Sequence, residues 1–317
     1  SYTLLNTNMS PIYFRSSVLS VLMVFTISCG RLSLIENTSI LPSATPTPEP
    51  TVPEYKEALA DIWVEDDHYK IGGISIVREC SPVDDYIGKC ELTIKSSGHL
   101  IQRFEVEYGR KYWLKYGILN LLGKNSQQLI VFTYSGGAHC CYDYSIYDLK
   151  PKIRAVYDSS KYDSGNVIGD ELVPVDVDGD GISEFYRDVM AFDYWGSGGH
   201  ASASFPPAVF AYDKNTHQYT IANKKFADFV MSRLGYISAL AQKDDWPDQD
   251  AKNEYLVRTR FLYMVYAGQR EAAWKYFDEN YRSSNGTGYQ EQFKEQFKRE
   301  ASEIFAKDPV YLSIYRK

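Results

Sequence analysis

The hydrophobic pattern of this chain changes its period once, near Asn223, and that change limits the folds open to it. Over residues 62–219, Tyr, Val, Ile and Phe alternate with polar residues between Gly, Asn, Asp and Ser clusters, which is typical of short β-strands. After residue 223 the apolar residues recur at a period of about 3.6, which indicates amphipathic helices. The sequence therefore predicts an α+β protein, with an antiparallel β-rich domain over residues 62–223 and a helical cap over residues 224–317.

The helical part carries its own start and stop signals. Phe226, Val230 and Leu234 lie on one predicted helix face, and Gly268 is expected to end a helix and let the next one fold back. A last helix is predicted over residues 289–306, with Asp308-Pro309 stopping it. These helices are expected to pack as a cap on the sheet.

Two segments of the β-rich region share an order of motifs. Residues 121–129, followed by an aromatic stretch and Ser135-Gly136-Gly137, can be laid over residues 177–185, followed by a similar stretch and Ser197-Gly198-Gly199. Each unit continues into an aromatic strand, at residues 144–148 and 208–213. We therefore expect two copies of one sheet unit, with residues 62–110 as a third, more diverged layer. Chance likeness between glycine-rich turns is the alternative.

The second copy contains the most specific motif of the chain, an acidic loop over residues 176–184. Its carboxylates at alternate positions, with Gly181 at the sharp turn, suit a hard cation that takes about six or more oxygen ligands. Without a cation, each close carboxylate pair would cost about 1–4 kcal/mol in repulsion. The predicted Ca²⁺ ligands are Asp176, Asp178, Asp180, Glu184 and the backbone carbonyl of Ile182. An acidic turn without a metal is the alternative.

This loop resembles the calcium hairpin of FG-GAP or VCBS-type repeats, which build blades of β-propellers. An EF-hand would require a glutamate where this chain has Arg187, and strand-like residues flank the loop on both sides. The resemblance implies blade-like repeats in which calcium has a structural role. The first copy has Asn120, Leu122, Lys124 and Gln128 at the corresponding positions, so we expect it not to bind the ion.

The amino-terminal region is predicted to direct export. Arg15 precedes an apolar run over residues 18–27, which is shorter than the roughly 20 residues of a transmembrane helix and suits an export signal. Thr26-Ile27-Ser28-Cys29 resembles a bacterial lipobox, which implies acylation of Cys29 and a membrane anchor. An ordinary secretory signal is the alternative. We expect residues 1–29 to be this signal with upstream read-through, and residues 30–61 to be an extended Pro/Thr-rich linker.

The remaining cysteines are disulfide candidates. Exported chains usually oxidise their thiols, and Cys80, Cys90, Cys140 and Cys141 form an even set. Two bridges from the Cys80/Cys90 segment to Cys140 and Cys141 are one option, and a bond from Cys80 to Cys90 is another. A soft-metal site with His139 is disfavoured, because adjacent strand residues point to opposite faces.

A second resemblance concerns Gly136-Gly137-Ala138-His139-Cys140-Cys141, followed by the acidic loop. This pairing is similar to a family of uncharacterised bacterial lipoproteins that carry a GGAHCC stretch beside FG-GAP-like loops. The family implies a fold and a compartment but no activity.

The net charge of the chain bears on which partners it can bind. The chain carries a net charge of −7 and has no large basic patch, which argues against a nucleic-acid partner. We expect an exported, membrane-anchored lipoprotein, at the cell surface or in the periplasm, that acts as a binding or structural module. Its expected partners are the membrane, through the lipid anchor, and an envelope protein or glycan. The alternative is an envelope hydrolase acting on carbohydrate or peptide through acidic residues at the sheet rim, which a deep pocket holding Asp193, His139 or His200 would support.

Overall fold

The computed structural model describes residues 63–81, 88–107, 113–134, 136, 142–162, 172–195, 203–243, 249–282 and 290–316. The chain divides into two units, Ser1–Glu49 and Pro50–Lys317, and all described residues belong to the second. The predicted export signal, Cys29 and the linker therefore lie outside the described residues. Of the helices in the described ranges, none combines the length and the apolar character needed to cross a membrane.

The described part of the β region forms three antiparallel sheets of four strands each. Sheet 1 contains β1 (His68–Ile71), β2 (Ile74–Cys80), β3 (Cys90–Ser96) and β4 (His99–Val106). Sheet 2 contains β5 (Leu114–Leu119), β6 (Gln128–Tyr134), β7 (Tyr142–Asp148) and β8 (Arg154–Asp158). Sheet 3 contains β9 (Val173–Val175), β10 (Glu184–Asp188), β11 (Pro207–Asp213) and β12 (Gln218–Ile221). Within each sheet, consecutive strands are hydrogen-bonded to one another, so each sheet is a simple meander.

The two segments with a shared order of motifs occupy equivalent places in neighbouring sheets. The first supplies the loop between β5 and β6, and the second supplies the loop between β9 and β10. Both loops therefore join the first and second strands of a meander.

Successive side chains of a strand point to opposite faces of its sheet, so each sheet can pack against a different neighbour on each face. On β6, Leu129 and Val131 pack with residues of sheet 1, whereas Ile130 belongs to a core shared with sheet 3. On β11, Phe210 faces that shared core, whereas Val209 packs with the helices. Sheet 2 thus lies between sheets 1 and 3, and sheet 3 lies between sheet 2 and the helices.

The face of sheet 1 that points away from the core is charged. Glu79, Glu91 and Glu105 lie opposite one another on three adjacent strands. Arg103 lies 3.3 Å from Glu91 and Lys89 lies 2.8 Å from Glu105, which relieves the repulsion between the carboxylates. This face is suited to solvent.

Five helices follow the sheets within the described ranges. They are α1 (Ala227–Lys243), α2 (Gln249–Tyr266), α3 (Arg270–Asn280), α4 (Gln290–Phe305) and α5 (Pro309–Tyr315). The predicted face of Phe226, Val230 and Leu234 packs on Val209 of sheet 3. The helices thus occupy the face on which a further sheet would pack, and the α+β prediction is confirmed at this level.

The predicted helix ends at Gly268 and before Asp308 are confirmed, but the helix that ends at Phe305 is not the last one, because α5 follows it. Gly268 separates α2 from α3 with a φ of +84°, and a Cβ at this position would lie 2.6 Å from Cγ of Lys224. Both the backbone conformation and the close approach of the Lys224 stem therefore require glycine. Asp308 follows α4 and accepts a hydrogen bond from the backbone N–H of Val310 (2.9 Å), which caps α5.

One buried asparagine ties the sheets to the helices. The amide nitrogen of Asn223 donates to the carbonyl oxygens of Pro207 (2.8 Å) and Tyr266 (3.0 Å), and its Oδ1 accepts from the N–H of Val209 (2.8 Å). These bonds join sheet 3 to the end of α2 and hold the turn that carries Lys224 and Lys225.

Candidate metal centre

The acidic loop is the connection between the antiparallel strands β9 and β10. Glu184 is the first residue of β10 and lies opposite Val175 of β9. Gly179 and Gly181 adopt φ values of +74° and +82°, a left-handed conformation that glycine takes without a steric penalty. The loop therefore reverses the chain tightly and brings its carboxylates back towards Glu184.

Backbone N–H groups of the loop donate to all three of its aspartates, and the bond from the N–H of Asp180 to Asp178 is the longest, at 3.4 Å. The two carboxylate oxygens of Asp176 accept hydrogen bonds from the N–H groups of Gly179 (2.8 Å) and Gly181 (3.0 Å). Asp180 accepts one from the N–H of Ile182 (2.8 Å). Each of these oxygens keeps a second lone pair, so the bonds shape the loop without using up its capacity to bind a cation.

Three carboxylates converge at the base of this loop. One oxygen from each of Asp176, Asp178 and Glu184 lies within 4.8 Å of the other two. Two oxygens that share a calcium ion at about 2.3–2.6 Å from each lie no more than about 5 Å apart. This group could therefore hold a metal ion.

The other two predicted ligands are arranged differently. Asp180 does not belong to the group of three, and its second carboxylate oxygen lies 3.9 Å from the ammonium of Lys214 on the β11–β12 turn. The N–H of Ile182 is bonded to Asp180, and its carbonyl remains a ligand on the sequence prediction alone.

Lys225 supplies a positive charge at this group. Its ammonium lies 2.7 Å from a carboxylate oxygen of Asp178, and this bond lowers the pKa of Asp178 and raises that of Lys225. Lys225 follows the Asn223 anchor and stands 47 residues from its partner in sequence. Its role could not be predicted from the sequence, because no local motif signals a contact over that separation.

Glu184 is the buried member of the group, with 3% of its surface exposed. Its carboxylate accepts a hydrogen bond from the N–H of Val177 (3.0 Å). Burial raises the pKa of Glu184, this hydrogen bond lowers it, and the nearby carboxylate of Asp178 raises it again, with a net rise. A buried carboxylate that must lose its water is stabilised when a cation takes the place of that water.

In sheet 2, the buried residue that corresponds to Glu184 is uncharged. Gln128 begins β6 as Glu184 begins β10, and it is fully buried. Its side-chain oxygen accepts from the N–H of Leu122 (3.2 Å) and the hydroxyl of Ser126 (3.0 Å), and its nitrogen donates to Asp148 (3.1 Å). The amide thus closes this loop through hydrogen bonds alone.

The two loops are in direct contact. The N–H of Ser183 donates to the carbonyl of Leu121 at 2.7 Å. The hydroxyl of Tyr219 donates to the carbonyl of Ser183 at 3.0 Å. The end of the acidic loop is therefore held by the neighbouring sheet 2 and by β12 of its own sheet.

The remaining predicted site residues are only partly described. Cys80 and Cys90 form a disulfide between β2 and β3, at paired positions of the two strands. Cys140, Cys141, His139 and His200 lie outside the described residues.

Of the three residues whose presence in a cleft would support an enzyme, Asp193 is the one that lies within the described residues. It lies in the turn after β10 and accepts a hydrogen bond from the N–H of Tyr194 (2.9 Å). Trp195, two residues on, packs against Phe192 and Phe297 of the helical core.

Comparisons of the chain with protein-family models, with curated proteins and with solved structures found no match.

Proposed function

We propose that this chain is an exported lipoprotein of the cell envelope whose β domain is stapled by calcium and serves as a binding or structural module. The observation that supports it most is the convergence of the Asp176, Asp178 and Glu184 carboxylates within 4.8 Å on a strand–loop–strand hairpin. A cation there would join the loop to the first residue of β10. Its role would be to stabilise the hairpin.

Calcium is the ion that this donor set favours. All the side-chain donors are carboxylate oxygens, which suit a hard cation, and calcium takes about six to eight oxygen ligands in flexible geometry. Asp176 and Asp178 are exposed, so water molecules can complete the shell. The likeness of the motif to FG-GAP or VCBS hairpins supports the same ion and the same structural role.

The proposed envelope location follows from the amino-terminal sequence. The apolar run over residues 18–27, the lipobox-like Thr26-Ile27-Ser28-Cys29 and the Pro/Thr tract together describe an anchored chain with a spacer. Cys29→Ser should move the protein from the membrane fraction to the soluble exported fraction and abolish the incorporation of labelled fatty acid. Retention of the label in this variant would refute the anchor.

The calcium proposal is tested by thermal unfolding of the full chain with about 1 mM calcium or with excess chelator. Calcium at about 100 times its dissociation constant should add about 2.7 kcal/mol to the free energy of unfolding. Asp178→Asn should lose most of this gain. Asp228→Asn, which removes an exposed carboxylate at the start of α1, should keep it. If calcium does not shift the wild-type transition, the loop is an acidic turn and the proposal fails.

A further inference from the structure

A second site lies where the hairpin turns of sheets 1 and 2 meet. A groove of about 360 Å³ is enclosed by the β1–β2 turn, the β3–β4 turn and the β7–β8 turn. Its volume lies within the range of about 300–1,000 Å³ that is usual for small-molecule sites.

The charged residues that line this groove are all of one sign. Lys150 and Lys152 line it, and the lining contains no carboxylate. Within the described residues neither lysine forms an ion pair, although Lys89, Lys214 and Lys225 elsewhere are each paired with an acid. Two ammonium groups without an acidic partner among the described residues thus line one groove of a chain whose net charge is −7.

The nearest carboxylate in sequence is already neutralised. Asp148, at the end of β7, is buried, lies 3.0 Å from the guanidinium of Arg154 and accepts a hydrogen bond from Gln128 (3.1 Å). It is therefore held away from the role of a counter-ion for Lys150 and Lys152. The two ammonium groups are left to a ligand or to solvent.

The uncharged residues that line the groove suit the small, polar organic part of an ester. Ser96, Ser97 and Gln127 offer uncharged hydrogen-bonding groups, and Ile71 and Ile153 offer apolar wall. Backbone hydrogen bonds fix two of the turns, from Ser97 N to Gly73 O (2.8 Å) and from Leu149 N to Gln127 O (3.0 Å). The groove is thus built before any ligand arrives, which lowers the entropic cost of binding.

We propose that this groove binds the phosphate group of a polyol phosphate ester, with Lys150 and Lys152 as its cationic contacts. Ammonium groups recognise phosphate as compact point charges, and the serine hydroxyls can donate to its remaining oxygens. The polyol part would lie along Gln127 and the isoleucines. The proposal is independent of the acidic loop and does not require calcium.

The test measures binding to the full chain in a non-ionic detergent with chelator present, by titration calorimetry. Four probes are compared: inorganic phosphate, glucose 6-phosphate, glycerol 3-phosphate, and detergent micelles doped with phosphatidylglycerol. We expect saturable binding of at least one ester with a dissociation constant on the order of 1 mM or tighter, weakened by added salt. Binding of the soluble esters would identify a free phosphate ester as the ligand, and binding of the doped micelles alone would identify a lipid headgroup.

Variants make the assignment specific. The double variant Lys150→Gln/Lys152→Gln should bind about tenfold or more weakly, because it removes two charge-assisted contacts. Lys150→Arg/Lys152→Arg should bind within a few-fold of wild type. The matched control Lys252→Gln/Lys275→Gln, which removes two lysine charges from α2 and α3, should be unchanged. Undiminished affinity in the groove variant, or no saturation by any probe up to about 10 mM, would overturn the proposal.

Discussion

Glu184 and Gln128 occupy equivalent positions in neighbouring sheets, and they differ by one charge. Each begins the second strand of its meander, each is buried, and each accepts a hydrogen bond from a backbone N–H of the preceding loop. The amide carries no charge and is satisfied by hydrogen bonds to Leu122, Ser126 and Asp148, whereas burial raises the pKa of the carboxylate. The charge of Glu184 therefore destabilises the metal-free hairpin and becomes useful when a cation is bound.

Glu184→Gln should make the protein more stable without calcium and should reduce the additional stability that calcium provides. In chelator, this variant should unfold at a higher temperature than wild type, because no charge has to be buried. In calcium, it should lose most of the gain of about 2.7 kcal/mol expected for wild type at 100 times the dissociation constant. Thermal unfolding in both buffers checks this, with Glu271→Gln on the exposed face of α3 as the control. A full calcium shift in Glu184→Gln would contradict it.

The raised pKa of Glu184 also predicts how the calcium effect depends on pH. For an acid whose pKa is raised in the fold, protonation favours folding. That contribution is fully present below the unfolded value near 4.5 and is lost as pH rises through the folded value. Calcium needs the ionised form, so the calcium-induced shift in unfolding temperature should shrink as pH falls from 7 to 5. Asp178, whose pKa is lowered by Lys225, should stay ionised over this range. An equal shift at both pH values would count against the assignment.

Asp180 distinguishes the ligand set expected from sequence from the group seen in the structure. It lies outside the group of three carboxylates and faces Lys214. We expect Asp180→Asn to weaken calcium affinity less than Asp176→Asn does, by about tenfold or more. Calcium titration followed by intrinsic fluorescence measures both affinities. Equal losses would show that binding rearranges the loop to include Asp180.

At the scale of elements, α5 is held to the end of α2 by polar contacts at both of its ends. At the start of α5, Asp308 caps the helix through the N–H of Val310 and accepts a hydrogen bond from the buried hydroxyl of Tyr266. At its end, the hydroxyl of Tyr315 donates to the carbonyl of Val265 (2.6 Å). The shortest helix thus closes the helical cap.

Asp308→Ala should destabilise the protein by about 1.5–5 kcal/mol. It removes a helix cap, worth about 0.5–2 kcal/mol, and leaves the Tyr266 hydroxyl buried without its acceptor, at about 1–3 kcal/mol. Asp308→Asn keeps one acceptor oxygen, which can maintain the cap on the N–H of Val310, and should cost less. Urea unfolding monitored by circular dichroism gives both values. Equal losses in the two variants would mean that the cap, which Asp308→Asn keeps, contributes little to the stability of α5.

The elements themselves were largely predictable from the sequence, because local periodicity determines them. The helix face of Phe226 and Val230, the stop at Gly268 and the stop at Asp308-Pro309 all follow from patterns within a few turns, whereas α5 was not predicted. The acidic loop was recognisable for the same reason. Lys225 and Asn223 were not, because their partners are brought to them by the packing of whole elements.

At the scale of the whole molecule, sheets 2 and 3 and the helices share one core, and sheet 1 packs on the other face of sheet 2. A single cluster of buried side chains runs from Ile130 of sheet 2 through Phe185 and Phe210 of sheet 3 to Phe261 and Phe277 of the helices. The sequence pattern showed which residues alternate, but not which sheet each face would meet. That choice depends on contacts between residues far apart in the chain, which alternation does not encode.

This shared core predicts a single unfolding transition for the sheets and the helices. The helical signal at 222 nm and the near-ultraviolet aromatic signal should lose their native values at the same temperature, and calcium should raise both midpoints equally. Circular dichroism at the two wavelengths during one thermal scan checks this. An earlier loss of the helical signal, with calcium moving only the aromatic one, would show that the cap unfolds separately.

The helices that cover the outer face of sheet 3 also restrict how such a protein can lengthen by gene duplication. A new meander added after β12 would have to displace α1 from Val209, and one added before β1 would meet the charged face of Glu79 and Glu91. Only a meander inserted between two existing sheets would have an apolar neighbour on each of its faces. A longer protein of this architecture is therefore expected to carry additional sheets between sheets 1 and 3, with sheet 1 and the helices unchanged at the two ends.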